Sequence, residues 1–201
     1  MSRFADFCAS DPTGQLAKVR QIRRQYEQEY SPASDFWSRW REGTEAIHRR
    51  DGTRDELARI GAVAKDNRGE QYTSACNGYY KFWGRKQIEF IGTPKPAAWT
   101  YDRLTVRINP EWLLRINGEL VVVKLHLKSG LPLSQRLANP LLHLVERYFE
   151  TTERSVGVLD VHRGKLWRPT AESRTMDAVL RMQAAAFLVG WDVRDSDSGV
   201  A

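Results

Sequence analysis

The fold of this chain is decided by residues 104–128, which read LTVRINPEWLLRINGELVVVKLHLK. Apolar side chains recur at about every second position in three segments, at 104–108, 112–116 and 120–128. A period of two is typical of β-strands, whose successive side chains point to opposite faces. Asn117-Gly118 is a strong hairpin signal, because both central residues of such a turn adopt positive φ angles. The stretch therefore predicts three consecutive antiparallel strands, with Asn109-Pro110 at the first turn.

The chain before this stretch has a helical pattern. Up to about residue 87, apolar residues recur at spacings of three and four, which is the period of an amphipathic helix. Pro32 ends the first helix, and the pair Thr53 and Glu56 forms a capping box that opens another. The predicted helices are one over 16–30, one capped by Ser34, one after Thr53 and one over 70–85; a short strand is predicted over 86–91 and a loop over 92–96.

The chain after this stretch alternates between helix and strand. Asn139-Pro140 is predicted as the N-cap and first residue of a helix. At that first position a backbone N–H has no partner within the helix, so proline loses no hydrogen bond there. A strand over 156–161 and a helix over 173–189 follow. The expected fold class is therefore α/β: a helical region over 1–87 packed on a mixed sheet. The second part, 88–201, has the order helix, three strands, helix, strand, and the two parts form one compact unit.

Composition excludes several classes of protein. The 201 residues include 31 Lys and Arg against 25 Asp and Glu, for a net charge of +6, which admits a polyanionic partner. No apolar run is long enough to span a membrane, and no signal core is present near Met1. Two cysteines, Cys8 and Cys76, exclude a disulfide scaffold and suit the cytoplasm. The GxGxxG, GxxxxGK[ST], HExxH and GxSxG motifs are absent.

The third predicted strand has one apolar and one basic side. Lys124, His126 and Lys128 alternate with valine and leucine, so they are expected on one face of the sheet. Arg107 and Arg115 on neighbouring strands extend that face. Two interpretations are open: an ordinary solvated face, or an electrostatic platform for the phosphates of DNA or RNA.

A second group of candidate nucleic-acid contacts lies at the end of the helix predicted over 70–85. Aromatic residues there are interleaved with cations, and aromatic rings between cations can stack bases while the charges bind phosphates. Helical spacing places Tyr72, Tyr79 and Trp83 on the side that packs against the sheet. Lys81 and Arg85 are expected outside.

The order helix, three strands, helix, strand resembles the core of the PD-(D/E)XK, or restriction-endonuclease-like, superfamily. The resemblance covers roughly residues 70–165. Pro110-Glu111 is similar to the first half of the motif, and Val122-Val-Lys124 and His126-Leu-Lys128 each supply the lysine of the second half. The acid two positions before each lysine is replaced, by Val122 and by His126.

The resemblance implies a function and leaves catalysis open. It implies that Glu111 would bind magnesium and that Lys124 or Lys128 would activate water. Because valine and imidazole are poor magnesium ligands, the expected state is a degenerate site that binds nucleic acid without cutting it and needs no cofactor. The alternatives are an active magnesium-dependent nuclease and a protein-interaction module with Trp99 and Trp112 as contacts. Whether the chain is an enzyme, and its oligomeric state, stay open.

Overall fold

The computed structural model describes residues 1–27, 35–63 and 68–193. The helices in these ranges are α1 Ser2–Ala9, α2 Pro12–Glu27, α3 Ser38–Arg49, α4 Leu57–Val63, α5 Arg68–Trp83, α6 Gln135–Phe149, α7 Ala171–Arg174 and α8 Asp177–Asp192, with a short 3-10 turn at Arg54–Glu56. The strands are β1 Ile88–Gly92, β2 Ala97–Tyr101, β3 Leu104–Ile108, β4 Trp112–Ile116, β5 Glu119–His126, β6 Arg154–Asp160 and β7 Lys165–Trp167. The predicted α/β class, with a helical N-terminal part and a mixed sheet, is confirmed.

Five strands form the main sheet in the order β1-β4-β5-β6-β7. The pairs β1·β4, β4·β5 and β6·β7 are antiparallel, and β5·β6 is parallel. Parallel neighbours need a crossover connection, and α6 lies within it. The Asn117-Gly118 hairpin turn joins β4 to β5 as predicted, and both of its residues have positive φ angles.

The segment at 104–108 is a strand as predicted, but the prediction that it belongs to the main sheet is wrong. It is β3, which pairs with β2 in a separate two-stranded hairpin inserted between β1 and β4. Asp102 adopts a φ of 48° in the tight turn of this hairpin. The prolines around 94–96 favoured a loop over that region and concealed β2. The three antiparallel strands of the main sheet are therefore β1, β4 and β5.

Two predicted helix boundaries are also wrong. The crossover helix α6 begins at Gln135, after the N-cap Ser134, whose side chain accepts a hydrogen bond from the backbone N–H of Leu137 at 3.3 Å. Asn139 and Pro140 therefore lie inside α6. The C-terminal helix is divided into α7 and α8. The predictions on Tyr30, Ser31, Pro32 and Ser34 lie outside the described residues.

Both faces of the main sheet are covered by helices. Val121, Val123 and Leu125 of β5 pack in one cluster with residues of α3, α4 and α5. Val122, on the other face, packs with residues of α1, α2, α6 and α8. The open basic face predicted for the central strand is therefore wrong, because α1 and α6 cover the side of the sheet that carries Lys124 and His126.

Helix α5 crosses the end of β6 at a glycine. A Cβ atom on Gly78 would overlap the carbonyl oxygen of Val161 and would lie 2.5 Å from the carbonyl carbon of His162. The backbones of the helix and the strand end can approach this closely only because Gly78 has no side chain. The contact fixes α5, with its buried Tyr72 and Tyr79, against the sheet.

A buried histidine in this helical layer makes stability depend on pH. His48 is 5% exposed, its Nε2 lies 2.8 Å from the Tyr79 hydroxyl, and burial lowers its pKa from 6.5 to about 4. As the pH falls from 6.5 towards 4, the unfolded chain binds a proton at His48 that the folded chain does not bind. We expect this group to reduce the free energy of unfolding by about 2–3 kcal/mol between pH 7 and pH 4.5.

Denaturant unfolding of the wild type and of His48→Gln at both pH values measures this effect. The amide of glutamine can still bond to the Tyr79 hydroxyl but does not titrate. The variant should therefore show a shallower loss of stability over this range than the wild type. Equal losses in the two proteins would contradict the assignment.

Candidate functional site

The carboxylate of Glu111 and the ammonium of Lys124 meet across two neighbouring strands. Glu111 directly precedes β4, and its backbone N–H donates to the carbonyl of Val123 on β5 at 3.1 Å, so it lies opposite Lys124. The Lys124 side chain is 4% exposed, and its ammonium is ion-paired with Glu111 Oε1. The other oxygen, Oε2, accepts the backbone N–H of Leu125 at 2.7 Å. Both oxygens of this carboxylate are therefore occupied.

This pair lines a cleft of about 310 Å³ that contains a second pair of opposite charges. Lys128, which follows β5, is ion-paired with Asp6 of α1. His126 also lines the cleft, and its Nε2 lies 2.8 Å from the carbonyl oxygen of Leu131. Within each ion pair the carboxylate neutralises the charge of the lysine. Lys124 and Lys128 therefore offer no unpaired positive charge to a phosphate in this cleft.

The cleft lacks a set of magnesium ligands. Val122, at the position where the resemblance would require an acid, is fully buried among apolar side chains. Glu119 cannot substitute for it, because Glu119 lies at the opposite end of β5 and pairs with Arg168 at 3.1 Å. Within the described ranges, no three His, Cys, Asp or Glu side chains are gathered closely enough to hold a metal ion.

The structure does not bring the seven predicted nucleic-acid contacts together. Arg107 lies on the separate β2–β3 hairpin, and Arg115 on β4 is paired with Glu89 at 3.1 Å. Lys124 and His126 are buried, and Lys128 is paired with Asp6. Lys81 and Arg85 are exposed, as predicted.

Lys81 and Arg85 belong to a surface that also includes Lys86 and Lys165. The turn before β7 packs against α5: a Cβ on Gly164 would lie 3.0 Å from the backbone nitrogen of Phe82 and 3.2 Å from Cβ of Lys81. This contact places β7, and with it Lys165, beside the end of α5. Lys81, Arg85, Lys86 and Lys165 are called the α5–β7 surface below.

The four cations of the α5–β7 surface have no carboxylate partner within the part of the chain that the structure describes. Lys86 lies over the ring of Phe82 at 4.9 Å, and Lys165 lies over the ring of Trp167 at 3.6 Å. Both lysines line a groove of about 510 Å³, in which Arg168 already neutralises Glu119. The groove therefore has positive charge from Lys86 and Lys165 that is not neutralised by a carboxylate among the described residues.

Lys86 and Lys165 were not among the predicted contacts, and Lys165 is the one that no local pattern could have placed beside α5. Its approach to α5 depends on the tertiary contact of Gly164 with the helix, which is more than 80 residues away in the chain. Arg163-Gly164 signals a turn, and Gly164 has a positive φ of 65°, but a turn signal does not identify the helix that it packs against.

No family model, curated protein or solved structure matches this chain. Its function therefore has to be inferred from its own residues. In the described ranges, no helix combines the length and the apolar character that crossing a bilayer requires.

Proposed function

We propose that this chain is a nucleic-acid-binding protein with a degenerate, non-catalytic nuclease-like core. The observation that carries the proposal is the α5–β7 surface, where four exposed or half-exposed cations lack carboxylate partners among the described residues. Such cations release counterions from a phosphate backbone when they bind it, and this gives affinity without sequence readout. The unpaired cysteines Cys8 and Cys76 suit the reducing cytoplasm that we propose as its location.

The order of the main sheet supports the nuclease-like part of this proposal. Helix α5, the strands β1, β4 and β5, the crossover helix α6 and the parallel strand β6 follow the order expected from the resemblance. Glu111 and Lys124, the two residues that the resemblance assigns to the motif, form an ion pair, which supports the same proposal. Val122 and the fully occupied Glu111 carboxylate favour binding over hydrolysis.

An active magnesium-dependent nuclease is the second candidate, and the meeting of Glu111 with Lys124 favours it. It requires the Glu111 carboxylate to leave Lys124 and bind the metal. Incubation of duplex DNA, single-stranded DNA and RNA with Mg²⁺ or Mn²⁺ tests it. Cleavage by the wild type that is lost in Glu111→Gln would establish the nuclease in place of the non-catalytic binder.

Trp99 and Trp112, the contacts predicted for a protein-interaction module, are both buried. Trp99 is 3% exposed and Trp112 is 1% exposed, so neither ring can form a contact surface. Trp112 also donates its indole N–H to Glu45 at 2.8 Å. Trp112 and Trp99 belong to two different hydrophobic clusters of the core.

Replacement of the α5–β7 cations tests nucleic-acid binding. A variant with Gln at positions 81, 85, 86 and 165 should bind a 30-residue DNA or RNA, single- or double-stranded, at least about 30-fold more weakly at 50 mM salt. Each lost phosphate contact changes the salt slope of log K by about 0.7–0.9, so the slope should fall by about 3. Fluorescence anisotropy over a salt series measures both quantities.

The matched control removes the same charge elsewhere. Gln at Lys18, Arg24, Lys95 and Arg136, which are distributed over other surfaces, lowers the net charge equally. This control should retain most of the slope. The same loss in both variants would show that bulk charge, not the α5–β7 surface, binds the polyanion, and no measurable binding by the wild type would refute the function.

A further inference from the structure

Helix α8 has an apolar stripe on the side that faces solvent. Leu180, Ala184 and Phe187 on its inner side are buried in the core. On its outer side Val179 is 42% exposed, Met182 72% and Val189 68%, and Ala186 is exposed with them. A helix that is apolar on both sides is typical of burial on both sides. Val179, Met182, Ala186 and Val189 are called the α8 stripe below.

The α8 stripe has a spacing that is unchanged when the helix is reversed. Its members are separated by three, four and three residues, so they follow one line along the helix. If two copies of α8 pack antiparallel about a twofold axis near position 184, Val179 faces Val189 of the other copy. Met182 then faces Ala186, and a large side chain fits against a small one. A twofold interface requires this kind of self-complementary surface.

Charge is compatible with the same arrangement. The nearest cation on the border of the stripe is Arg181, and its Nε is paired with Asp177 of the same helix at 2.7 Å. Two copies therefore bring no unpaired arginines together across the axis. Antiparallel helices also place opposite ends of their macrodipoles side by side, which is favourable.

We propose that the α8 stripe is the interface of a weak, antiparallel homodimer. Four side chains of each copy meet in this contact, far fewer than the roughly 20–30 residues on each side of a stable interface, so the association is reversible. We therefore expect monomers in dilute solution and dimers only at high protein concentration.

Sedimentation velocity from 5 to 500 μM tests the interface. The wild type should shift from monomer to dimer over this range, and Met182→Glu should stay monomeric. The matched control is Ile91→Glu, an apolar side chain that is 39% exposed on β1, and it should behave as the wild type. A wild type that is monomeric at 500 μM, or a Met182→Glu variant that still dimerises, would overturn the proposal.

Cysteine cross-linking tests the orientation independently of nucleic-acid binding. Val179→Cys and Val189→Cys are oxidised separately and as a mixture, with the wild type as the background for Cys8 and Cys76. The antiparallel dimer predicts a disulfide-linked dimer in the mixture and little in either variant alone. Cross-linking of Val179→Cys to itself that equals that of the mixture would overturn the antiparallel arrangement.

Discussion

The Gly78→Ala variant is expected to lose about 2 kcal/mol or more of its free energy of unfolding. The added methyl group would overlap the carbonyl oxygen of Val161, and it meets backbone, which cannot rotate away as a side chain could. Either α5 or the end of β6 must move, and forced insertion of even one carbon into a packed region costs about 1–3 kcal/mol or more. Alanine gains about 1 kcal/mol of helix propensity over glycine, which offsets part of this cost. Urea unfolding measures the net loss.

The neighbouring residue provides the control. Asn77 lies on the exposed side of the same helix, and Asn77→Ala gains helix propensity without meeting the strand. It should be as stable as the wild type or slightly more so. If Gly78→Ala matched Asn77→Ala, the close approach of α5 to β6 would be refuted.

The Lys124→Met variant is expected to lose about 3–5 kcal/mol, because it leaves the Glu111 carboxylate largely buried without its cation. The hydrogen bond from the Leu125 N–H remains but does not neutralise the charge. The double variant with Glu111→Gln removes both charges and should recover much of the loss. The coupling energy from this double-mutant cycle is the measured quantity.

An exposed pair on the same sheet is the control for this cycle. Arg115 and Glu89 are paired at 3.1 Å, and their side chains are 44% and 60% exposed. Because solvent screens such a pair, Arg115→Met should cost less than about 1 kcal/mol. Equal costs for Lys124→Met and Arg115→Met would mean that the Glu111–Lys124 pair is not effectively buried.

Local patterns in the sequence predicted most strands, but they did not predict which strands become neighbours. The Asn117-Gly118 turn correctly joined β4 to β5, since a two-residue turn determines its own hairpin. The β2–β3 hairpin was missed because the prolines that precede β2 signal a loop as well as an edge strand. Pro140 resembled a helix start, whereas the N-cap is Ser134, five residues before Asn139.

The candidate sites show the same division between local and tertiary information. The exposure of Lys81 followed from helical spacing, whereas Arg85 is exposed because α5 ends at Trp83 and the chain turns there. The alternation along β5 correctly placed Lys124 and His126 on one face, but it could not show that α1 and α6 cover that face. The partner of Lys128 is Asp6, more than 120 residues away, and no local pattern connects the two.

The close contact between Gly78 and Val161 has a consequence for biosynthesis. Helix α5 leaves the ribosome about 80 residues before the strand end on which it docks. At a synthesis rate of about 5–20 residues per second, Gly78 is made roughly 4–16 s before Val161. During this interval α5 can pack against β1, β4 and β5, which are made first, but it has no β6 on which to dock. The final position of α5 on the sheet is therefore reached only after the crossover helix α6 and the strand β6 have been made.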